Sequence, residues 1–329
     1  MDPVSETQGR VPAPRVAVVI PCYRVTAHIA DVLAGIGAEV EHVYCVDDCC
    51  SDGSGEFIES LGIERVTVLR NATNLGVGGA TLAGFAKARA DGAEVIVKLD
   101  GDGQMDPSLL PLFVAPITAG RADYTKGNRF YHPSSVHGMP LHRIAGNAVL
   151  SFLTKLSSGY WNLFDPTNGY VAIHGVVLDR LPLERISQRY FFESDMLYHL
   201  NIVRAIVEDV PMDAKYGDEE SHLSAFRAAF DFSFRHVRNF FRRLAYNYYL
   251  RDFSVGSVEI LLGAILLVFG VVFGGGRWLH STLSGEKATA GTVMLAGLPV
   301  IVGLQLVLSF LNGDTRSVPQ TPLHKRVDG

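Results

Sequence analysis

Two aspartates, one residue apart, are the residues of this sequence best suited to chemistry. Asp100 and Asp102 lie in the segment Asp100–Gln104, directly after a run of Val, Ile and Leu residues. Two carboxylates on such a turn can share one Mg²⁺ or Mn²⁺, which then bridges them to a diphosphate. A solvated acidic turn accounts for the same residues, because Asp and Gly are common in loops. The segment therefore predicts a metal and diphosphate site if the surrounding motifs agree.

Two further segments carry groups that suit a nucleotide. Asp47 and Asp48 end an earlier apolar run, where an aspartate can accept hydrogen bonds from a nucleobase or a ribose. The glycine-rich segment Asn74–Ala80 precedes a helical pattern, and such turns often bind phosphate. The segment does not follow the first strand, and no ribose-binding acid follows in the usual place, which argues against a dehydrogenase. Asp52 and Ser54 instead predict the cap of a helix.

Short apolar runs alternate with amphipathic stretches from Val16 onward. The runs are rich in Val, Ile and Leu, as buried parallel strands are: Val16–Ile20, His42–Val46, Val66–Leu69 and Val95–Leu99. Helical stretches such as His28–Ile36 and Gly79–Ala90 lie between them. The alternation predicts an α/β domain with a parallel sheet, in which ligands bind beyond the carboxyl ends of the strands.

Composition limits the class of protein. The chain has 329 residues, a net charge of −5 and 48% hydrophobic residues, and its mean hydropathy is +0.19. A negative chain has no global basic field, so no nucleic-acid partner is expected. The cysteines lack zinc-ligand spacing and predict free thiols in a reducing compartment: Cys22, Cys45, Cys49 and Cys50. Residues 1–14 are polar, contain three prolines and predict a flexible tail.

The C-terminal third has the pattern of a membrane anchor. Apolar and aromatic residues recur every three or four positions from Phe226 to Tyr248, with arginines at helical spacing on another face. This pattern suits a helix in a membrane interface, and also a helix packed on the domain. Two almost uncharged intervals follow, at about 255–275 and 291–312, and each can hold the ~20 apolar residues of a spanning helix. Two buried helices of a soluble domain are the alternative.

The charges around these intervals predict an orientation. Five arginines precede the first interval between 235 and 251, three basic residues follow the second, and Glu286 offsets Arg277 and Lys287 in the loop. The positive-inside bias places both ends and the large domain in the cytoplasm, as in an integral protein of the bacterial inner or plasma membrane. Glu259, near the start of the first interval, fits headgroup level.

The predicted organisation has five parts. They are a tail at 1–14, a catalytic domain at 15–222, amphipathic juxtamembrane helices at 223–252, two transmembrane helices within 253–313, and a cytoplasmic tail at 314–329. Interfacial helices and two spans also leave room for a homo-oligomer.

Together, the motifs resemble those of the family-2 glycosyltransferases of GT-A fold, which have a Rossmann-like, mostly parallel sheet. The matching segments are Val19–Tyr23, Val46–Asp48 with Ser51–Gly53, Asn74–Gly79 and Asp100–Gln104. Within that family the chain is most similar to the dolichol-phosphate and polyprenyl-phosphate hexosyltransferases, over about residues 16–211. The resemblance implies an inverting transfer that depends on Mg²⁺ or Mn²⁺.

The resemblance also assigns site residues. It places the metal and diphosphate at Asp100, Asp102 and Gln104. The residues expected to bind the donor are Pro21, Tyr23, Asp47, Asp48, Asn74, Gly76, Gly79, Asp100 and Asp102.

The second half of the domain provides candidates for the acceptor site. Arg129 follows a predicted strand at Tyr124–Lys126, and Arg143 lies in the segment Pro140–Asn147. They match two arginines that hold the lipid phosphate in the polyprenyl-phosphate enzymes, and a guanidinium binds phosphate with paired hydrogen bonds. Without the resemblance, they read as surface arginines. The residues expected at the acceptor phosphate are Arg129, Arg143, Asn147, Lys215 and Ser221.

Three acidic residues complete the predicted site. Asp165 opens a segment that resembles the floor of the family's sugar site, and Glu193 and Asp195 lie where many relatives keep an acidic catalytic pair. A hydroxyl acceptor needs one of that pair as general base, whereas a phosphate acceptor is ionised at pH 7 and needs none. The expected catalytic residues are Asp102, Arg129, Arg143, Asp165, Glu193 and Asp195.

The sequence is interpreted as a membrane enzyme that moves a hexose from a UDP- or GDP-sugar to undecaprenyl or dolichyl phosphate. Positioning and charge stabilisation would supply most of the rate. One alternative is a transferase acting on a hydroxyl of a lipid-linked glycan, with Asp195 or Glu193 as base. The other is a non-catalytic membrane scaffold that has kept a nucleotide-binding domain.

Overall fold

The computed structural model describes residues 14–131, 141–213 and 225–327, without the side chains of 141–143, 225–230 and 327. The chain forms two compact units. The first comprises 1–151, 163–222 and 320–329, and the second comprises 152–162 and 223–319. Segments 152–162 and 320–329 thus belong to the second and the first unit, respectively, and the predicted five-part organisation stays a prediction.

The first unit contains a sheet of seven strands within the described residues, in the order β3-β2-β1-β4-β6-β5-β7. The strands are β1 Val16–Cys22, β2 His42–Asp47, β3 Val66–Arg70, β4 Val95–Lys98, β5 Tyr124–Asn128, β6 Val171–His174 and β7 Val207–Pro211. Strands β1 to β4 are mutually parallel, and β5 and β7 run in the same direction. Only β6 is antiparallel to its neighbours β4 and β5 in this sheet. The predicted α/β fold with a mostly parallel sheet is confirmed.

Helices connect the strands as the alternating pattern predicts. Those of the first unit are α1 Ile29–Gly35, α2 Ser54–Ser60, α3 Val77–Ala90, α4 Leu110–Thr118, the start of α5 Leu141–Ser158, α6 Gly175–Leu178 and α7 Phe192–Ile202. Two 3₁₀ turns lie at Pro107–Leu109 and Leu183–Arg185. Strand β5 is longer than predicted, because Gly127 and Asn128 still pair with β7.

The core of the first unit lies on both sides of the central strands. Strand β1 is buried along its whole length, which explains why its sequence is continuously apolar rather than alternating. Ile29 of α1 and Phe113 of α4 pack into the same cluster as Val18 and Val97. The Phe113 ring also stacks on Tyr170, with 3.9 Å between ring centroids. The strand ends that carry the polar motifs are therefore fixed by a rigid core.

The end of the chain belongs to the first unit, although the sequence predicted a plain tail there. Helix α11 spans Leu323–Val327. The buried carboxylate of Asp123 accepts hydrogen bonds from the Leu323 and His324 amides, at 2.7 and 3.1 Å, and lies 2.6 Å from His324 Nδ1. The His324 ring stacks on His174, with 4.4 Å between centroids. Because the capping carboxylate precedes the helix by 200 residues, no local pattern reveals this contact.

We expect Asp123→Ala to release this C-terminal segment. The variant leaves the amides of Leu323, His324 and Ile206 without their buried acceptor, and each such loss costs about 1–3 kcal/mol. Limited trypsin digestion should therefore cut after Lys325 or Arg326 faster than in the wild type, with a lower thermal midpoint. Glu41→Ala, which breaks only the exposed ion pair with Arg15, is the control. Equal cutting rates in all three proteins would contradict the contact.

The second unit contains the apolar helices. Its described elements are the end of α5, α8 Ala225–Ala245, a π-helical turn at Tyr246–Leu250, α9 Val255–Ser284 and α10 Ala290–Arg316. Helices α9 and α10 are each long and apolar enough to cross a membrane, and only 17% and 11% of their most apolar windows are buried. Core helices of a soluble domain are mostly buried, so the low burial favours a membrane anchor. The predicted intervals lie inside these two helices.

Glycines let α9 and α10 pack closely. A Cβ atom on Gly303 would lie 2.9 Å from the Gly263 carbonyl oxygen, and one on Gly270 would lie 2.9 Å from the Ala296 carbonyl oxygen. Small residues at such positions are typical of paired helices in membranes. Glu259 of α9 accepts a hydrogen bond from Ser309 Oγ of α10 at 2.7 Å, so its carboxylate also links the two helices.

Helix α8 buries polar side chains and exposes aromatic ones, which is the reverse of a surface helix in a soluble protein. Its buried residues include His236, Asn239 and Arg243, whereas Phe234 and Phe241 are about 60% exposed. An exposed aromatic face beside buried polar groups suits an apolar surrounding. This arrangement supports the predicted interfacial helix.

Asp314 joins four segments of the second unit. Its buried carboxylate lies 2.7 Å from Arg243 Nη1 and accepts hydrogen bonds from Trp161 Nε1 at 2.8 Å and Tyr248 Oη at 2.6 Å. Arg243 Nη2 also donates to the Leu156 carbonyl. Arg243 was counted among the positive charges flanking the first span, but this ion pair neutralises it.

Candidate active site

The strand directions bring the predicted residues to one edge of the sheet. The carboxyl ends of β1, β2, β4 and β5 lie there with the amino end of β6. Tyr23, Asp102 and Arg129 follow three of these strands, Asp47 ends another, and Asp165 precedes β6. The candidate site is therefore assembled where ligands bind in open α/β sheets.

The turn after β4 holds the paired aspartates. Asp102 Oδ1 accepts the Gln104 amide at 2.9 Å, which closes the turn. Gly101 is buried, and a Cβ atom there would lie 3.2 Å from the side chains of Ile20 and Val25. The absence of a side chain at residue 101 thus lets the turn pack closely on Ile20 of β1 and on Val25. Asp100 remains 26% exposed beside it.

A buried lysine that the sequence analysis did not single out lies behind the aspartates. Lys98 Nζ is 2.8 Å from Asp100 Oδ1 and 3.7 Å from Glu193 Oε1, and it donates to the Gly169 carbonyl at 3.1 Å. Burial lowers the pKa of Lys98, but the Asp100 and Glu193 carboxylates outweigh it and keep the pKa above its usual value. Burial raises the pKa of Glu193, and the Lys98 charge opposes only part of that rise. The two carboxylates therefore favour the charged form of the lysine inside the site.

The two donor aspartates are buried and engaged with the backbone. Asp48 accepts the Leu75 and Gly76 amides at 2.9 and 2.7 Å, so it caps the turn that leads into α3. Asp47 Oδ1 accepts the Cys50 amide at 2.8 Å. Tyr23, by contrast, is 46% exposed at the edge. The structure thus gives Asp47 and Asp48 a role in holding the segments after β2 and before α3, and their contact with a nucleoside stays a prediction, as does that of Pro21.

The glycine-rich segment before α3 packs on the chain before α7. The Gly79 amide donates to the Gln188 carbonyl at 2.8 Å. A Cβ atom on Gly78 would lie 2.7 Å from the Ser187 carbonyl oxygen, and one on Gly76, where φ is +85°, would lie 3.0 Å from the Gln188 carbonyl oxygen. Close backbone packing therefore accounts for these glycines without a phosphate. The predicted donor contacts of Asn74, Gly76 and Gly79 stay predictions.

The loop after β2 is held by Cys50. The Cys50 thiol accepts the Arg24 amide at 2.9 Å and donates to Asp52 Oδ1 at 2.7 Å, which links the loops after β1 and β2. Asp52 also accepts the Ser54 amide at 3.0 Å, but Gly53 is the N-cap of α2 and no side chain caps this helix, so the predicted cap at Asp52 or Ser54 is wrong. Cys49 is exposed with φ of +55°. All four cysteines are free thiols, as predicted.

Arg129 and Asp165 form a bidentate ion pair. Arg129 Nε and Nη2 each lie 2.7 Å from an oxygen of Asp165, and the Arg129 amide donates to Oδ2 at 3.0 Å. Asp165 is fully buried with φ of +53°, whereas the Arg129 side chain is 33% exposed. Burial would raise the pKa of Asp165, but the Arg129 guanidinium outweighs it and holds the pKa below its usual value. Asp165 therefore orients the arginine rather than facing a substrate as a base.

The lowered pKa of Asp165 predicts a pH-dependent stability. Asp165→Asn removes a carboxylate whose stabilisation is present above its unfolded pKa of about 4 and disappears as pH falls through the lower folded pKa. The wild-type protein should exceed the variant in thermal midpoint by a constant amount between pH 7 and about pH 5, and the difference should shrink below about pH 4. Differential scanning fluorimetry measures it. A difference that widens on acidification would contradict the ion pair.

A second buried ion pair supports this loop. Lys126 Nζ lies 2.9 Å from Asp209 Oδ1, and Asp209 Oδ2 accepts Asn128 Nδ2 and the Phe164 amide, both at 2.9 Å. Because Phe164 directly precedes Asp165, these hydrogen bonds also fix the position of Asp165. A charged residue inside a strand that is otherwise buried is the sequence signal for both Lys98 and Lys126.

The remaining acceptor candidates are described only in part. Arg143 lies in the first turn of α5, and its side chain lies outside the described residues. Asn147 follows one turn later on α5, and its Nδ2 atom is buried and makes no hydrogen bond among the described residues. Lys215 and Ser221 lie outside the described residues. The structure thus places two of the five candidates, Arg129 and Asn147, with their side chains.

The two acids of α7 face different surroundings. Glu193 is 13% exposed and contacts Lys98 in the site. Asp195 is buried, and its Oδ2 accepts both the amide and the hydroxyl of Ser187 at 2.8 Å. Asp195 therefore holds the segment on which Gly76 and Gly78 pack, whereas Glu193 belongs to the group around Asp100.

Comparison with known proteins identifies similar chains. An N-acetylglucosaminyltransferase of Methanococcus voltae that uses UDP-N-acetylglucosamine and dolichyl phosphate is 28% identical over 213 residues, covering 60% of this chain and 84% of that protein. An undecaprenyl-phosphate mannosyltransferase of Micrococcus luteus is 30% identical over 203 residues, covering 60% and 82%.

A solved structure shares the fold. Glucosyl-3-phosphoglycerate synthase of Mycobacterium tuberculosis, crystallised with Mn²⁺, UDP and glucosyl-3-phosphoglycerate, matches 70% of this chain and 80% of its own, with a TM-score of 0.53 and 18% identity. This likeness confirms the predicted GT-A fold. The sequence model of Glycosyl transferase family 2 matches residues 17–181, which is half of the chain. The protein is therefore a glycosyltransferase and belongs to glycosyl transferase family 2.

Proposed function

We propose that this protein transfers a hexose from a nucleotide-sugar to a polyprenyl phosphate, with inversion at the sugar carbon. The observation that carries the proposal is the oriented Arg129–Asp165 pair at the same sheet edge as Asp100 and Asp102. A guanidinium held in this way is suited to a phosphate, whereas the aspartates are suited to a metal and diphosphate. The names of two relatives, which act on dolichyl and undecaprenyl phosphate, support the same acceptor.

The residues on the donor side fit a divalent cation that is bound together with the diphosphate. Among the described residues no group of three or more His, Cys, Asp and Glu side chains surrounds a common point, so diphosphate oxygens and water would supply the other ligands. Asp100 Oδ1 is buried and lies 2.8 Å from the Lys98 ammonium, and it accepts no hydrogen bond from another described residue. Asp102 and Gln104 would act with Asp100. Mg²⁺ or Mn²⁺ bound there would offset the charge on the departing nucleoside diphosphate.

The acceptor side requires no general base. A lipid phosphate oxygen is already ionised at pH 7 and can attack the sugar carbon directly. Arg129, with Arg143 on the first turn of α5 and Asn147 one turn later, would hold that phosphate. Lys215 and Ser221, which lie outside the described residues, are the remaining predicted contacts of that phosphate. Positioning by these residues would supply most of the rate enhancement, because a nucleophile that is already bound reacts without a bimolecular encounter.

The second unit would anchor the protein in a membrane. Helices α9 and α10 have the length of spanning helices, and α8 presents Phe234 and Phe241 on its exposed face. The basic residues around the spans favour a cytoplasmic catalytic domain and cytoplasmic ends. Of the arginines before α9, Arg243 is paired with Asp314, but Arg242 and Arg251 are exposed, so the bias remains. The homo-oligomer stays a prediction.

A hydroxyl acceptor on a lipid-linked glycan is the second candidate. Its support is Glu193, because burial raises the pKa of this carboxyl as a general base near neutral pH requires. Asp195 is less suited, since Ser187 already donates two hydrogen bonds to it. A non-catalytic scaffold has no support in a chain that belongs to a glycosyltransferase family.

Arg129→Lys separates the two candidates. Lysine keeps the charge but loses the bidentate pair with Asp165, so we expect transfer to lipid phosphate to fall at least about 30-fold, with donor affinity within about twofold. Arg121→Lys, which alters an exposed ion pair with Glu208, is the matched control and should retain full transfer. Glu193→Gln should slow transfer through donor positioning only. If Arg129→Lys retains transfer while Glu193→Gln abolishes it, the hydroxyl acceptor is favoured.

A further inference from the structure

Lys98 connects three segments whose relative positions the reaction must preserve. It ends β4, directly before the turn with Asp100 and Asp102. Its Nζ atom reaches Asp100 Oδ1 at 2.8 Å, the Gly169 carbonyl at 3.1 Å and Glu193 Oε1 at 3.7 Å. The turn after β4, the turn before β6 and helix α7 therefore meet at one ammonium group.

The surroundings of Lys98 are adapted to its charge. Its side chain is 1% exposed, and a Cβ atom on Gly169 would lie 2.4 Å from Nζ and 3.0 Å from Asp100 Oδ2. A side chain at 169 would therefore displace the Lys98 ammonium from its present position. A buried charge pair contributes little net stability compared with apolar side chains of similar volume, because desolvation offsets the attraction. The lysine is therefore better explained by the site than by the fold.

The ammonium group lies where it opposes a metal ion. A divalent cation on Asp100 would lie close to a positive charge that already occupies one face of the same carboxylate, and like charges at such distances repel strongly in a buried site. The negative charge of a diphosphate reduces this repulsion. The cation should consequently bind weakly to the empty protein and much more strongly together with the donor.

We propose that Lys98 is a positioning residue with two effects. It holds the Asp100 and Glu193 side chains in fixed relative positions, and it keeps the affinity of the aspartate pair for a divalent cation low until the nucleotide diphosphate is present. This inference rests on the proposed function, since it assumes that Asp100 and Asp102 bind the metal. It concerns the order in which the metal and the donor bind, and it is independent of the acceptor.

Titration of the full-length protein in detergent with Mn²⁺, followed by electron paramagnetic resonance, tests the proposal. Lys98→Met and Lys98→Gln both remove the charge, and glutamine keeps a donor for the Gly169 carbonyl. We expect either variant to bind Mn²⁺ alone at least about threefold more tightly than the wild type, because removal of the charge ends the repulsion. The further gain in Mn²⁺ affinity when UDP or GDP is added should shrink, and sugar transfer should fall at least about tenfold.

Two further variants make the result specific. Lys87→Met removes the same charge from the exposed pair with Asp91 and should leave Mn²⁺ affinity unchanged. Lys98→Met combined with Glu193→Gln removes a neighbouring acid as well and should return Mn²⁺ affinity toward the wild-type value. Where Lys98→Met folds poorly, Lys98→Gln carries the same test.

Each outcome bears on the proposal. A purely structural lysine predicts that its loss weakens Mn²⁺ binding or leaves it unchanged, and either result overturns the proposal. Absence of Mn²⁺ binding in the wild type even when UDP or GDP is present removes the metal from the proposed function and the role of Lys98 with it. Tighter Mn²⁺ binding in the variants, with transfer to an unexpected acceptor, supports Lys98 while the acceptor assignment fails.

Discussion

Replacement of Asp102 by asparagine is expected to lower sugar transfer at least about 100-fold, since loss of metal-based charge stabilisation costs several kcal/mol. Asparagine keeps an oxygen that can accept the Gln104 amide, so the turn after β4 should remain closed. The thermal midpoint should therefore change little. Initial rates at saturating nucleotide-sugar, with Mn²⁺ varied, measure the effect, and the variant should require much higher Mn²⁺.

Asp106→Asn is the matched control for this variant. Asp106 lies four residues further on, and its carboxylate accepts the Ser108 amide at 3.0 Å at the start of a 3₁₀ turn. Asparagine can accept the same bond, so transfer should stay within about twofold of the wild type. If Asp102→Asn retains transfer with unchanged Mn²⁺ dependence, the paired aspartates do not hold the metal.

Removal of the Asp314 carboxylate is expected to have the largest effect on stability. Asp314→Ala leaves the buried Arg243 charge unpaired and removes the acceptor for Trp161 and Tyr248. Loss of one partner of a buried ion pair typically costs about 3–5 kcal/mol. We expect a markedly lower thermal midpoint in detergent and a smaller monodisperse fraction in size-exclusion chromatography.

Two comparisons test whether the cause is the orphaned charge. Asp231→Ala breaks the exposed pair with Arg235, one turn apart on α8, and should cost at most about 0.5 kcal/mol. Arg243→Met combined with Asp314→Leu removes both charges and should recover part of the lost stability. Equal midpoints for Asp314→Ala and Asp231→Ala would contradict a buried network around Asp314.

Local patterns were sufficient to predict most of the fold. The apolar runs at Val16–Ile20 and Val95–Leu99 became β1 and β4, because strands buried on both faces must be continuously apolar. The predicted spans lie within α9 and α10 because uncharged intervals of that length are rare elsewhere. The paired aspartates lie on a strand-end turn, as their motif predicts.

Contacts between distant segments could not be predicted in this way. Asp123 binds the chain 200 residues later, and Arg243 pairs with Asp314 across 71 residues. Lys98 was hidden inside a run that was interpreted only as a strand, although a charge at a buried position requires a partner. Asp48 and Gly79 were assigned to the donor from their motifs, but their hydrogen bonds also have a role within the fold.

The central claim is transfer of a hexose to a polyprenyl phosphate, and detection of the product tests it most directly. Purified full-length protein in detergent, with Mn²⁺ and undecaprenyl or dolichyl phosphate, would be given a panel of UDP- and GDP-sugars, and lipids would be analysed by mass spectrometry. The proposed function predicts a monoglycosylated lipid phosphate from one donor, lost in Asp102→Asn and strongly reduced in Arg129→Lys. Binding of a nucleotide-sugar without glycosylation of either lipid phosphate by any donor would contradict it.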